Sequence, residues 1–177
     1  MKKLGILILL LSSLFGKNSD MVQEAVEKFD LDRYLGAWYE IARMDHSFER
    51  GMSNVTANYQ LREDGKVSVL NKGYYAEKSK WKSATGIAKF TAEASRGALR
   101  VSFFRPFYGG YNVVLLAEDY SWALVAGDSE KYLWILSRTP VLDPDHLEQL
   151  LGRARSLGYR VEDLIWVDQS LNLATQP

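Results

Sequence analysis

Histidine and cysteine are the residues most often recruited for metal binding and covalent catalysis, and this chain has two of the first and none of the second. His46 and His146 are far apart in sequence, with no partner at ligand spacing, so neither suggests a transition-metal site. Without a thiol there is neither a cysteine nucleophile nor a disulfide. No G-x-S-x-G elbow, P-loop or dinucleotide-type G-x-G-x-x-G occurs. The acidic residues fall singly on turns and wet faces, where solvation accounts for them, and only folding could assemble an acid–base pair. What remains is binding. Aromatics make up 12% of the chain, with five Trp, ten Tyr and seven Phe. Such residues favour strands and line pockets for apolar ligands. The expectation is a non-enzyme with no cofactor and no metal.

The chain balances 22 basic against 22 acidic residues and carries no Lys/Arg block, so the electrostatic footprint of a nucleic-acid binder is missing. Its 177 residues suit one domain with a proper core. Lys2 and Lys3, then the apolar run Leu4 to Phe15 and the small Gly16, have the layout of a secretory signal peptide over residues 1–16. The run is too short to span a bilayer, which takes roughly 20 residues. Residues 17–28 follow as a polar lead-in, and residues 29–177 form the expected domain.

The elements that must position any site are short and alternating. Val55, Ala57, Tyr59 and Leu61 share one face, with Asn54, Thr56, Asn58 and Gln60 on the other, the period-two pattern of a strand with one buried face. Asp64-Gly65 supplies a tight hairpin turn into Lys66–Tyr75. Further strands are expected at Trp81–Phe90, Ala98–Arg105, Gly109–Glu118, Tyr120–Gly127 and Lys131–Arg138, with Trp38–Met44 at the start. These eight runs, joined by short turns, predict an all-β, eight-stranded antiparallel up-and-down barrel. The small residues Ala84, Gly86 and Ala88, ending in Phe90, fit either an open interior or a tight bend. Asp143-Pro144 starts a helix whose stripe of Leu147, Leu150, Leu151, Ala154 and Leu157 should lie on the outside of the barrel, with Gly158 as its stop. Leu164–Val167 reads as a short last strand.

Three separated segments then carry most of the information: Gly36-Ala37-Trp38-Tyr39, Asp119-Tyr120 and Arg138 before Thr139-Pro140. In this order, on this strand pattern, they resemble the three signature regions of the lipocalin family. Longer stretches, Trp38-Tyr39-Glu40-Ile41-Ala42-Arg43, Pro106-Phe107-Tyr108-Gly109-Gly110-Tyr111-Asn112-Val113 and Tyr132-Leu133-Trp134-Ile135-Leu136-Ser137-Arg138-Thr139-Pro140, are similar to its bacterial outer-membrane lipoprotein branch. The resemblance implies that Trp38 plugs the closed barrel end with Arg138 packed across its indole, and that Gly36, Tyr39, Asp119 and Tyr120 are structural. It implies binding of a small lipophilic ligand, a fatty acid or lysophospholipid, in the cell envelope, with possible membrane association and a homodimer precedent. It departs at Lys17, where that branch carries a lipidated cysteine.

Period-two alternation nominates Val55, Ala57, Tyr59, Ala88, Phe90, Val101, Phe103, Tyr111, Val113 and Trp134 as inward-facing cavity residues; a one-residue register slip would invert the set. Arg43 to Met52 should form a long mouth loop, where His46 and Arg50 either meet an anionic head group or brace the loop through salt bridges. Rival readings are a carrier of haem or a pigment, an isomerase on the same barrel, and an interaction module with a solid core.

Overall fold

Nine strands, four short turns of helix and one longer helix are seen among the described residues of the computed structural model, which are 21–174 apart from residue 23. The expected signal peptide and the first part of the lead-in lie outside the described residues. The strands are β1 (Gly36–Arg43), β2 (Met52–Leu61), β3 (Val67–Tyr75), β4 (Lys80–Phe90), β5 (Ala98–Phe104), β6 (Phe107–Leu116), β7 (Trp122–Ala126) and β8 (Leu133–Ser137), each antiparallel to the next. β1 pairs with both β8 and β2, so the sheet closes on itself as an eight-stranded barrel and leaves no edge between them.

The alternation read from the sequence sets the inner face. Two devices modify it. Asn54 sits at φ +53° in a bulge between Ser53 and Thr56, and β1 shifts register between Glu40 and Ala42. Beyond its bulge β1 turns Ala42 outward while the Arg43 side chain is buried next to Glu40. β1 and β2 pair only from Gly36↔Tyr59 to Tyr39↔Thr56. Past that point they splay, and the amide of Gln169 bridges the gap by donating to the Glu40 carbonyl at 2.7 Å and the Val55 carbonyl at 3.0 Å. The short β9 (Ile165–Trp166) lies along the end of β1, where the sequence predicted a last strand.

Two apolar cores result. One fills the closed half of the barrel around Trp38, Val67, Leu99, Val113 and Leu136. The other lies between the outer wall, at Ala42, Leu124, Leu133 and Ile135, and helix α2 (Pro144–Ser156). Asp143 caps α2 by accepting from the Asp145 N–H, Pro144 occupies the first turn, and Leu150, Leu151 and Ala154 are buried against the wall as the stripe requires. Gly158 follows at φ +87°, a conformation that needs no Cβ.

The lead-in is more than a polar leader. Ala25 and Phe29 are buried, and the Val26 N–H donates to the Val113 carbonyl while the Val26 carbonyl accepts from Gly97 N–H, each at 2.9 Å. This segment straps the flank of the closed end, and the short helix α1 (Leu31–Tyr34), capped by Asp30, then crosses beneath it. The sequence signal for the strap is weak, because it is irregular backbone with no apolar period: Ala25 and Phe29 are buried while Glu27 and Lys28 between them are exposed.

Candidate ligand-binding site

The closed end is sealed by the residues expected there. Trp38 is fully buried and donates its indole N–H to the Tyr34 carbonyl at 2.8 Å. The Arg138 guanidinium lies 3.9 Å from the centre of the indole and donates to the carbonyls of Ala37, Arg33 and Tyr34. Stacking a cation on the indole while its N–H groups satisfy chain-end carbonyls closes the barrel without leaving a buried donor unpaired. Gly36, at φ +92°, lets the chain pass under this guanidinium, 3.5 Å from where a Cβ would stand. Tyr120 takes φ +63° in the β6–β7 turn, and its hydroxyl accepts from the Asp30 N–H at 2.8 Å, tying that hairpin to the cap of α1. Asp119 accepts from the Ser121 N–H and hydroxyl, and Tyr39, half-buried, pairs with Thr56 and Ser137 across both neighbouring strands. These six residues hold the end shut.

Above this plug lies a floor of phenols. Tyr34 and Tyr59 each hydrogen-bond the Tyr111 hydroxyl at 2.7 Å. Burial pushes all three hydroxyls well above the ordinary phenol range, so each keeps its proton. Two hydrogen bonds use two of the three protons, and the third has no protein acceptor among the described residues. Beneath the tyrosines the packing is dense: the void bounded by Phe29, Val67, Leu99 and Tyr111 has room for about 10 Å³, scarcely one water.

Toward the mouth the inner wall opens. β3 and β4 keep an unbroken register from Val67↔Ala88 to Tyr75↔Lys80, so Ala88, Gly86 and Ala84 share the inner face. The Phe103 ring lies across Gly86, where a Cβ would fall 2.9 Å from it, and yet Phe103 remains 43% exposed. The small-residue face therefore gives its room to an aromatic wall. Ala57, Asn71 and Trp134 are half-buried at neighbouring inner positions. Exposure thus rises from zero at Trp38 to nearly half at Phe103, which is the profile of a cup with a solid base.

The ten nominated cavity residues all lie on the inner face, but at two levels. Tyr59, Ala88, Phe90 and Val113 belong to the packed base, with Val101 and Tyr111 at its surface. Ala57, Phe103 and Trp134 line the open part, and Val55 closes the wall beside Gly73. Sequence reasoning missed a polar cluster on the β1 side. Arg43 donates to Glu40 Oε1 at 2.9 Å and to the Glu49 carbonyl at 2.7 Å; Trp134 Nε1 donates to Glu49 Oε2 at 3.2 Å, and His46 Nε2 lies 3.0 Å from the same oxygen. Burial, then repulsion from Glu49, raises the Glu40 carboxyl well above the usual range. Burial works against ionised Glu49 too, but the His46 and Trp134 donors outweigh it and bring its carboxyl below that range. Glu40 and Arg43 were visible in the sequence only as part of a motif; the β1 bulge that turns Arg43 to the same side as Glu40 was not. Arg50 grips Asp45 through two nitrogens at 2.8–3.2 Å and is exposed. Both mouth-loop candidates, His46 and Arg50, are thus held by carboxylates of their own loop. Among the described residues no cluster of three or more His, Asp or Glu could hold a metal ion.

Residues 29–169 match the model of the Lipocalin-like domain family. The chain belongs to the lipocalin family. This lipocalin is 54% identical over 144 residues to outer membrane lipoprotein Blc of Citrobacter freundii, an alignment covering 81% of each chain. It is 50% identical over 145 residues to the protein of that name from Vibrio cholerae, covering 81% of this chain and 85% of the other. Mouse apolipoprotein D is 34% identical over 152 residues, covering 81% and 79%. Among solved structures, insecticyanin of the tobacco hornworm superposes on this lipocalin with a TM-score of 0.65 at 21% identity, over 81% of this chain and 82% of that one, a likeness of fold.

Proposed function

We propose that this lipocalin carries a fatty acid or lysophospholipid, acyl chain down in the cup above Tyr111, and performs no chemistry on it. Binding and transport of a lipophilic ligand in the bacterial cell envelope is the function that its family and its relatives support. The outer membrane association in the names of those relatives fits an envelope carrier, with Lys17 standing where a lipidated cysteine would anchor the chain.

The observation that carries the reading is the split of the lumen. Its base is packed, while the wall above it, of Ala57, Phe103 and Trp134, is apolar and only partly buried. An acyl chain leaving water gains ~0.8 kcal/mol per buried methylene. About ten methylenes therefore give a gross gain near 8 kcal/mol, in the micromolar range before association costs. The unused phenol proton at the floor offers a donor to any oxygen that reaches it.

Displacement of a fluorescent fatty acid tests this. Ala57→Trp puts an indole into the open part and should weaken oleate at least tenfold, by an amount equal to about two methylenes. Leu70→Ser, on the outer face of β3, should leave it unchanged. Equal affinities in the wild type and Ala57→Trp would place the ligand elsewhere.

A further inference from the structure

The mouth holds a cationic feature that the family motifs do not account for. Lys78, Lys80 and Lys82 alternate across the start of β4. The β3–β4 register continues the inner face from Ala88, Gly86 and Ala84 to Lys82 and Lys80. Opposite Lys82 stands Gly73, whose Cβ position is filled by Val55 and Met52 at 3.1–3.4 Å, so the wall there is closed and the lysine stands at the rim. The Lys82 ammonium lies 4.1 Å from the centre of the Tyr75 ring, and that of Lys78 lies 5.6 Å from it. Mouth-loop residue Gly51 closes against the same ring, 3.1 Å from where its Cβ would stand.

None of the three lysines has an ion-pair partner among the described residues, whereas Lys66 is held by Asp64 and Arg50 by Asp45. The nearby Glu77 carboxylate accepts from the Tyr75 hydroxyl at 2.7 Å. Like charges gathered at the rim of an apolar cleft focus their field into it. The other cations of the mouth are already engaged, Arg43 by Glu40 and the Glu49 carbonyl and Arg50 by Asp45.

We propose that Lys80 and Lys82, assisted by Lys78, seat the anionic head group of the lipid, a carboxylate or a phosphate, at the mouth while its chain fills the cup. The inference rests on the lipid-carrier reading and adds which end of the ligand faces out and which charge is selected. The seat lies at the start of β4, beside the Gly51 end of the mouth loop, and uses neither His46 nor Arg50, to which the sequence directed attention.

The test uses the mature protein, the double variant Lys80→Gln/Lys82→Gln, and three ligands with one chain: oleate, oleoyl lysophosphatidate and oleyl alcohol. The double variant should lose about tenfold in affinity for the two anionic lipids, on the order of a few-fold for each solvated ion pair, and keep its affinity for oleyl alcohol. High salt should reduce wild-type binding of the anions in the same direction. A loss confined to oleate identifies the head group as carboxylate, and one confined to the lysolipid identifies it as phosphate. Arg50→Ala should change none of these affinities. Unchanged affinity for both anions, or an equal loss for oleyl alcohol, overturns the seat while leaving carriage intact; wild-type protein that binds none of the three overturns both.

Discussion

At the scale of single residues, the molecule separates side chains that hold the cup from those that face a ligand. Trp38 does the first work most completely. Removing a fully buried indole takes away its apolar area and leaves a cavity under Arg138, whose guanidinium then stacks on nothing. Trp38→Ala should destabilise the fold by about 3–5 kcal/mol in urea unfolding; an unchanged midpoint would remove Trp38 from the role of plug. Glu49 gives a prediction with a sign in pH. Its native carboxyl is held below the ordinary glutamate range, so ionised Glu49 stabilises the folded state at pH values above that range, and the contribution disappears as pH falls through the lower native value. Glu49→Gln should therefore cost about 1–3 kcal/mol at neutral pH and progressively less as acid protonates the native carboxyl, below the ordinary glutamate range. A cost independent of pH would mean that the His46 and Trp134 contacts do not depend on the charge.

At the scale of elements, the sheet places its side chains by register alone, and this is where sequence and structure agree and part. The alternation from Val55 to Leu61 was legible because one face is wet, and the helix from Pro144 was legible from its cap, its stripe and Gly158. The bulges at Asn54 and after Glu40 were not, since nothing in residue type marks where a strand takes an extra residue. The polar cluster of Glu40, Arg43, His46 and Glu49 follows from the second bulge, so it was hidden with it. The phenol floor was hidden for another reason: Tyr34, Tyr59 and Tyr111 meet only through closure of the barrel. Gly86 tests how the elements share space. A branched side chain there would collide with Phe103 and with the Ser102 carbonyl, both 2.9 Å from the Cβ position. Gly86→Val should cost about 1–3 kcal/mol, and pairing it with Phe103→Ala should recover part of that loss. No recovery would mean that the backbone contact alone sets the cost.

At the scale of the whole molecule, a barrel with one packed end and one open end assigns the two ends different work. The strap of residues 24–30, α1 and the Trp38–Arg138 pair stiffen the closed half. The mouth loop is latched to the lumen through Glu49 and Trp134, and its end packs on Tyr75, beside which the β4 lysines stand. A neutral chain overall thus carries a local positive field where a lipid would enter. The account stands on the open half being the site. Isotope-edited NMR on the protein loaded with labelled oleate addresses this directly. Contacts are expected between the acyl methylenes and Ala57, Phe103 and Trp134, with none to Trp38 or to the outer face at Leu70. Stoichiometric oleate whose methylenes contact only residues outside the barrel, or none of these three, would contradict it.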